Sequence, residues 1–273
     1  MRRTAQATVI HLALVAGAAL TVLPLLWMVS ASLMPPGGAT ATPPRLLPHP
    51  LTFEQYAALF TRLDLARALF NSTLVALAVT VISLGLNSMA GYAFAKFRFA
   101  GRDRLFRLLL AALIIPGQVG MLPLFLMLKE MGAVNTYWGV IIPGMASIFG
   151  IFLIRQYALS IPDSLLDAAR IDGAGEFRIY WSLVLPACRP ILVTLALFTF
   201  MGAWSDFLWP LIVLTNSEMY TLPVALANLL GEHVQDSELM MAGAVVTVLP
   251  VMLLFLVLQR SYIAGILSGG SRE

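Results

Sequence analysis

Catalysis would need nucleophiles, metal ligands or a phosphate cradle at working spacings, and the sequence supplies none. Its histidines stand apart at 11, 49 and 233, with no H-E-x-x-H pair, and there is no G-x-S-x-G elbow. Neither Lys96 nor Lys129 follows a glycine, so there is no Walker A loop. A lone Cys188 excludes an intrachain disulfide and a thiolate metal cluster. The side chains that do cluster are ion-pairing ones. Ile161 to Pro190 reads IPDSLLDAARIDGAGEFRIYWSLVLPACRP and sets Asp163, Asp167, Asp172 and Glu176 beside Arg170, Arg178 and Arg189. Such a set holds a shape or grips a partner; it breaks no bonds.

The local pattern predicts two short helices around a turn. Pro162 suits the first helical position, where its missing N–H would have been unpaired anyway. Asp163 then favours the positive end of the helix dipole. Leu165, Leu166, Ala169 and Ile171 give an apolar side, and Gly173 is the expected left-handed stop. A second helix is expected over 175–183, ending before Pro186. Pattern alone leaves two readings open: a docking knob, or an amphipathic helix lying on lipid. The apolar face is small, and the acids would repel an anionic surface.

The surrounding chain must be membrane. Hydrophobic residues make up 59% and charged ones 11%, against roughly 25% charged in soluble domains. Six apolar runs are long enough to span a bilayer, at about 9–34, 68–95, 106–128, 133–157, 187–215 and 239–260. The expectation is therefore one all-α, polytopic transmembrane domain over 1–273, with no separate soluble domain and the knob at 161–186. Arg2 and Arg3 before the first run leave a secretory signal peptide as a competing reading, but the run exceeds the usual 7–15 residues. An uncleaved first helix, kinked at Pro24, is the reading preferred here.

Six spans put both termini, the 96–107 connection and the knob on one face. That face carries Arg2, Arg3, Lys96, Arg98, Arg102, Arg104, Arg107, Arg155, Arg170, Arg178, Arg189, Arg260 and Arg272; the other has Arg45, Arg62, Arg67 and Lys129, with the acids Glu218, Glu232, Asp236 and Glu238. By the positive-inside rule the termini and the knob are cytoplasmic. A net charge of +3 asks for no nucleic-acid partner; the partner it faces is membrane lipid.

Other stretches add detail. Thr52 and Gln55 form a capping-box pattern for a short helix over 52–60. The basic cluster in GYAFAKFRFAGR, Gly91–Arg102, reads as anchoring or as contact with a partner protein. Ile115-Pro116-Gly117-Gln118 and Pro123 fall inside the third span, where proline removes a backbone hydrogen bond and kinks or unwinds the helix. In a membrane that is tolerated where protein or a cavity covers it. Tyr137 and Trp138, opening the fourth span, suit the interfacial belt. Asp206, in Gly202-Ala203-Trp204-Ser205-Asp206-Phe207-Leu208-Trp209-Pro210, is an ionisable group within an apolar run. It faces a cavity or partner, or is solvated at the outer headgroups.

The knob resembles a known signature. D-A-A-R-I-D-G-A-x(7)-L-V-L-P-x(3)-P is similar to the cytoplasmic loop of inner-membrane permease subunits of bacterial ABC importers, with Asp167 where glutamate is usual. Asn71-Ser72 with G-Y-A-F-A, the Trp204–Pro210 stretch with Ser205 for the common asparagine, and Leu258-Gln259-Arg260-Ser261-Tyr262-Ile263 with Gly265 resemble carbohydrate permeases. The likeness is to the second permease of maltose-type importers. It implies a type I ABC importer permease fold with a coupling helix, in the bacterial inner membrane. Partners implied are a second related permease, two ATPase subunits and an extracytoplasmic substrate-binding protein. ATP and Mg would be held by the ATPases, with no cofactor on this chain. Coupling would fall to Asp163, Leu166, Asp167, Ala168, Ala169, Arg170, Asp172, Gly173, Ala174 and Phe177. Gln118, Trp204, Ser205 and Asp206 are candidates for the translocation path. The implied cargo is a sugar, with amino sugars, polyols and glycerophosphodiesters as alternatives. A stand-alone secondary transporter or channel is the rival, though one Asp206 and no internal repeat support it thinly.

Overall fold

The computed structural model describes residues 2–43, 45–232 and 236–270, and every regular element among them is helical. In chain order these are α1 Arg2–Ser32, α2 Glu54–Leu63, α3 Leu65–Lys96, α4 Arg102–Ala112, α5 Met121–Glu130, α6 Tyr137–Gly144 and α7 Ile148–Ala158. There follow α8 Asp163–Ile171, α9 Glu176–Ile179, α10 Leu185–Ala187, α11 Arg189–Trp204, α12 Leu208–Val213, α13 Leu222–Glu232 and α14 Ser237–Gly270. His233 and Arg272 lie outside the described residues, as do the side chains of Arg2, Arg3, Glu232, Arg260 and the Ser261–Gly265 motif.

Three helices are long and apolar enough to cross a membrane: Gln6–Ser32, Leu65–Lys96 and Ser237–Val257. Three further pairs qualify when joined across a bend. These are α4 with Gly117–Glu130, at 96°; α6 with α7, at 41°; and Glu176–Ala187 with α11, at 79°. The first bend falls at the Pro116-Gly117 break that the sequence marks. Pro116 cannot donate to the preceding turn, and a short 3₁₀ turn, Gly117–Gly120, restarts the chain.

The chain divides into two units. One holds residues 1–68 and 222–250. Here α1 leaves its apolar side chains exposed, with Leu20 at 77%, as a lipid-facing helix would. Gly243 lets α14 approach α13, since a Cβ there would meet Leu226 Cδ2 at 2.6 Å. The expected capping box does not form, and the helix starts at Glu54. The Thr52 N–H already donates to the Leu33 carbonyl at 2.9 Å, while the Thr52 hydroxyl accepts from the Glu54 N–H at 3.2 Å. Gln55 therefore turns inward and is buried.

The other unit holds residues 69–221 and 251–273, with α3 as its mast. Buried polar residues along α3 tie successive elements to it. Asn71 donates to the Glu218 and Tyr220 carbonyls at 2.9 and 3.0 Å and accepts from the Tyr137 hydroxyl at 2.7 Å. Asn87 accepts from the Ser147 N–H at 3.0 Å and donates to Ser83 Oγ at 2.8 Å. Ser88 pairs with the Tyr180 hydroxyl at 2.7 Å. Gly91 admits α7, because a Cβ would meet Ile154 at 2.7 Å.

Buried amides in an apolar helix are costly unless paired, so Asn87 is expected to matter to stability. Asn87→Leu leaves the Ser147 N–H without its acceptor and should cost ~1 kcal/mol. That corresponds to a fall of roughly 2–4 °C in the unfolding midpoint of the detergent-solubilised protein. An unchanged midpoint would show the amide to be dispensable.

Candidate coupling knob and membrane cavity

The knob is built on Gly173. Its φ of +81° is left-handed backbone that other residues adopt only under strain. The Gly173 N–H donates to the Arg170 carbonyl at 3.0 Å and the Ala174 N–H to the Ala169 carbonyl at 2.9 Å, closing α8 as a Schellman turn. Pro162 sits one place earlier than expected, at the N-cap with φ −61° and ψ 133°. This leaves Asp163 as the first helical residue.

Arg170 locks the two arms of the turn together. Its Nη1 donates to Asp167 Oδ1 at 2.7 Å, and its Nε and Nη2 fork onto Glu176 at 2.7 and 3.3 Å. From α3, the Tyr92 hydroxyl donates to Glu176 Oε2 at 3.2 Å. Lys96 Nζ donates to both the Ile161 carbonyl and Asp163 Oδ1, each at 2.6 Å. The Lys96 hydrogen bond and charge hold the Asp163 carboxyl below its ordinary range. The Arg170 hydrogen bond does the same for Glu176. Depressed carboxyls stabilise the folded form above their unfolded values, and this is lost as pH falls through the lowered ones. The network is therefore complete at neutral pH.

The apolar residues of the knob split instead of forming one side. Leu166 is buried with Ala158, Ile161, Ile179, Tyr180, Val184 and Cys188, and Ala169 packs against the same cluster. Leu165, Ile171 and Phe177 point outward, with Ile171 at 87% and Phe177 at 71% exposed. Asp167, Ala168 and Asp172 are exposed, while Ala174 is half-buried. The second arm does not stop before Pro186. It continues through a π turn, Tyr180–Val184, into Leu185–Ala187. The break falls at Cys188 instead.

Arg170→Ala should loosen this turn without disturbing the Leu166 cluster. The pairs are exposed, so the loss after solvent screening is about 1 kcal/mol at most. Amide hydrogen exchange over 163–176 should rise by roughly fivefold. Arg170→Lys should not restore protection, because lysine lacks the fork; full protection in the alanine variant would refute the lock.

A second feature is a cavity of about 550 Å³ among α3, α5, α6, α7 and α11, lined by Val79, Ser83, Met121, Phe198, Thr199 and Asp206 among others. The lining is mainly apolar, and Asp206 is its one ionisable side chain. Asp206 follows α11 and accepts from the Trp209 N–H at 3.4 Å, at the start of α12. Trp209 Nε1 in turn donates to the Gly139 carbonyl at 3.0 Å. Of the other path candidates, Trp204 is buried and stacked on Phe200 at 5.8 Å. Ser205 is exposed at the break, and Gln118 is exposed beside the lining residue Gly117.

The asparagines of α3 and Asn135 organise this unit, and sequence reading gave Asn87 no role. Asn135, at φ +59°, accepts from the Thr215 and Asn216 N–H groups at 3.0 and 2.9 Å. Buried polar residues recurring in an apolar helix were the available signal for Asn87.

Broken apolar helices around a cavity, with an ion-paired knob, define a polytopic membrane transport component. Residues 84–266 match the model of the family described as binding-protein-dependent transport system inner membrane component, and the chain belongs to that family. Among its relatives is an arabinooligosaccharide transport permease of Halalkalibacterium halodurans, 39% identical and covering 92% of this chain and 91% of the relative. A lactose transport permease of Rhizobium radiobacter is 31% identical, covering 91% of this chain and 90% of its own. The fold matches a chain of a bacterial ABC transporter that imports the acidic polysaccharide alginate, with TM-score 0.81 and 25% identity. That match covers 94% of this chain and 97% of the other. The chain is a permease subunit of the ABC importer class, a transport component and not an enzyme.

Proposed function

We propose that this chain forms half of the translocation path of an importer for a sugar or sugar-like solute, coupled to an ATPase through residues 161–186. The observation that carries the reading is the knob. Its inner face is fixed to α3 by Lys96, Tyr92 and Leu166, while Leu165, Ile171 and Phe177 are held outward on a turn locked by Arg170. A rigid turn that exposes apolar side chains is a surface made to seat in a groove. The partners on this reading are two ATPase subunits, which hold ATP and Mg, a second related permease and an extracytoplasmic binding protein. Both termini and the knob face the cytoplasm, where the positive-inside pattern puts them.

Relatives carrying arabinooligosaccharides and lactose support a sugar cargo. The cavity lining carries no basic side chain, which disfavours a strongly anionic cargo. ATP and loaded binding protein drive transport on this scheme only if they favour one access state differentially. Affinity purification of the tagged chain from its native membrane in mild detergent tests the assembly. An ATPase, a second permease and a binding protein are expected by mass spectrometry. Recovery of the chain alone, repeated after crosslinking, would overturn the scheme in favour of a stand-alone transporter.

A further inference from the structure

The arginines between α3 and α4 do more than add positive charge. Arg98, Arg102, Arg104 and Arg107 line one concavity of about 580 Å³, together with Phe99 and Asp103. Two of the four are partly committed within the chain. Arg102 donates to Asp103 Oδ1 at 2.9 Å and to the Phe97 carbonyl at 3.2 Å. Arg107 Nε donates to the Asp103 carbonyl at 3.3 Å. Arg98 and Arg104 are exposed at the same hollow. Asp103 is the single acid there, so the hollow carries an excess of guanidinium groups whose planar forks match the oxygens of a phosphate.

The same segment also exposes apolar side chains beside the arginines. Phe99, Leu105 and Leu108 are exposed, at 44%, 48% and 62%. The axis of α4 lies at 96° to that of Gly117–Glu130. α4 is the first arm of a bent membrane span, so the arginine-rich 98–107 segment lies at its headgroup end, with the exposed Leu105 and Leu108 beside it facing acyl chains. A soluble phosphate would use the arginines alone; only a lipid uses both sets of side chains.

We infer that the Arg98–Arg107 hollow is a binding site for the phosphate of an anionic phospholipid, with Phe99, Leu105 and Leu108 covering the adjoining chains. The site anchors the start of α4, the arm that runs to the Pro116 break, so lipid charge acts on a helix that leads into the cavity wall at Gly117.

The test is native mass spectrometry of the delipidated, detergent-solubilised transporter complex titrated with phosphatidylglycerol or phosphatidylcholine. The wild type and an Arg98→Gln/Arg104→Gln variant are compared, with an Arg98→Lys/Arg104→Lys variant as the charge-preserving control. Each basic residue near an anionic surface contributes enough that losing two should weaken phosphatidylglycerol binding at least tenfold. Phosphatidylcholine binding should not change, and the lysine variant should keep most of the affinity. Equal phosphatidylglycerol binding in the glutamine variant would overturn the inference. Loss of the ATPase subunits with lipid binding intact would also overturn it, showing a protein contact. So would displacement of the lipid by millimolar inorganic phosphate, which would make the site one for free anions.

Discussion

Gly173→Pro is expected to reduce substrate-stimulated ATP hydrolysis by the assembled transporter at least tenfold, while the chain still inserts and assembles. Proline fixes φ near −65°, and the native value is +81°. It also removes the N–H that donates to the Arg170 carbonyl. Conformational strain and the lost bond together come to roughly 3 kcal/mol, more than the exposed ion pairs of Arg170 can offset. The turn should open and Ile171 and Phe177 lose their fixed spacing. The Leu166 and Ile179 cluster lies on the other side of the knob and should hold. Gly173→Asn is the control, since asparagine tolerates the left-handed region and no atom lies within 4 Å of a Cβ there. Asp172→Arg leaves the backbone alone and reverses an exposed charge beside the turn; it too should uncouple hydrolysis from transport. Normal stimulated hydrolysis in either the proline or the arginine variant would remove the docking role from the knob.

Asp206→Ala should lower uptake at limiting substrate by roughly tenfold, the loss of one hydrogen bond to a charged acceptor, with assembly unchanged. The carboxylate lines the cavity and also caps the start of α12 through the Trp209 N–H, so two roles must be separated. Asp206→Asn keeps an oxygen for the cap and removes the charge. If both variants lose uptake, the charge serves the path. If only alanine does, the cap is what matters. Uptake unchanged in both would leave Asp206 a lining residue with no part in transport.

Much of this protein is legible from local physics. Charge-free runs mark helices that water would not tolerate outside a membrane. Pro116 marks a break because its nitrogen carries no hydrogen, and Gly173 marks a turn because it lacks a Cβ. These are properties of a residue and its immediate neighbours, and the chain order alone carries them. Asp163, Asp167, Arg170 and Glu176 stood out as a cluster on the same grounds.

Which of them pair, and against what, only the tertiary structure decided. Arg170 could have met any of several acids; the turn at Gly173 brings Glu176 back to its guanidinium, six residues away and across a change of direction. Lys96 reaches Ile161 and Asp163, far along the chain, where Gly91 lets α7 close on α3. The apolar pattern of α8 gave one face, yet packing buries Leu166 and leaves Leu165 and Ile171 outside, since the neighbouring elements cover only part of it. In the Trp204–Pro210 stretch, sequence offered Trp204, Ser205 and Asp206 alike. The end of α11 buries the first, exposes the second and sets the third into the cavity. Burial and pairing depend on neighbours distant in the chain, and a linear pattern of residue types does not contain those distances.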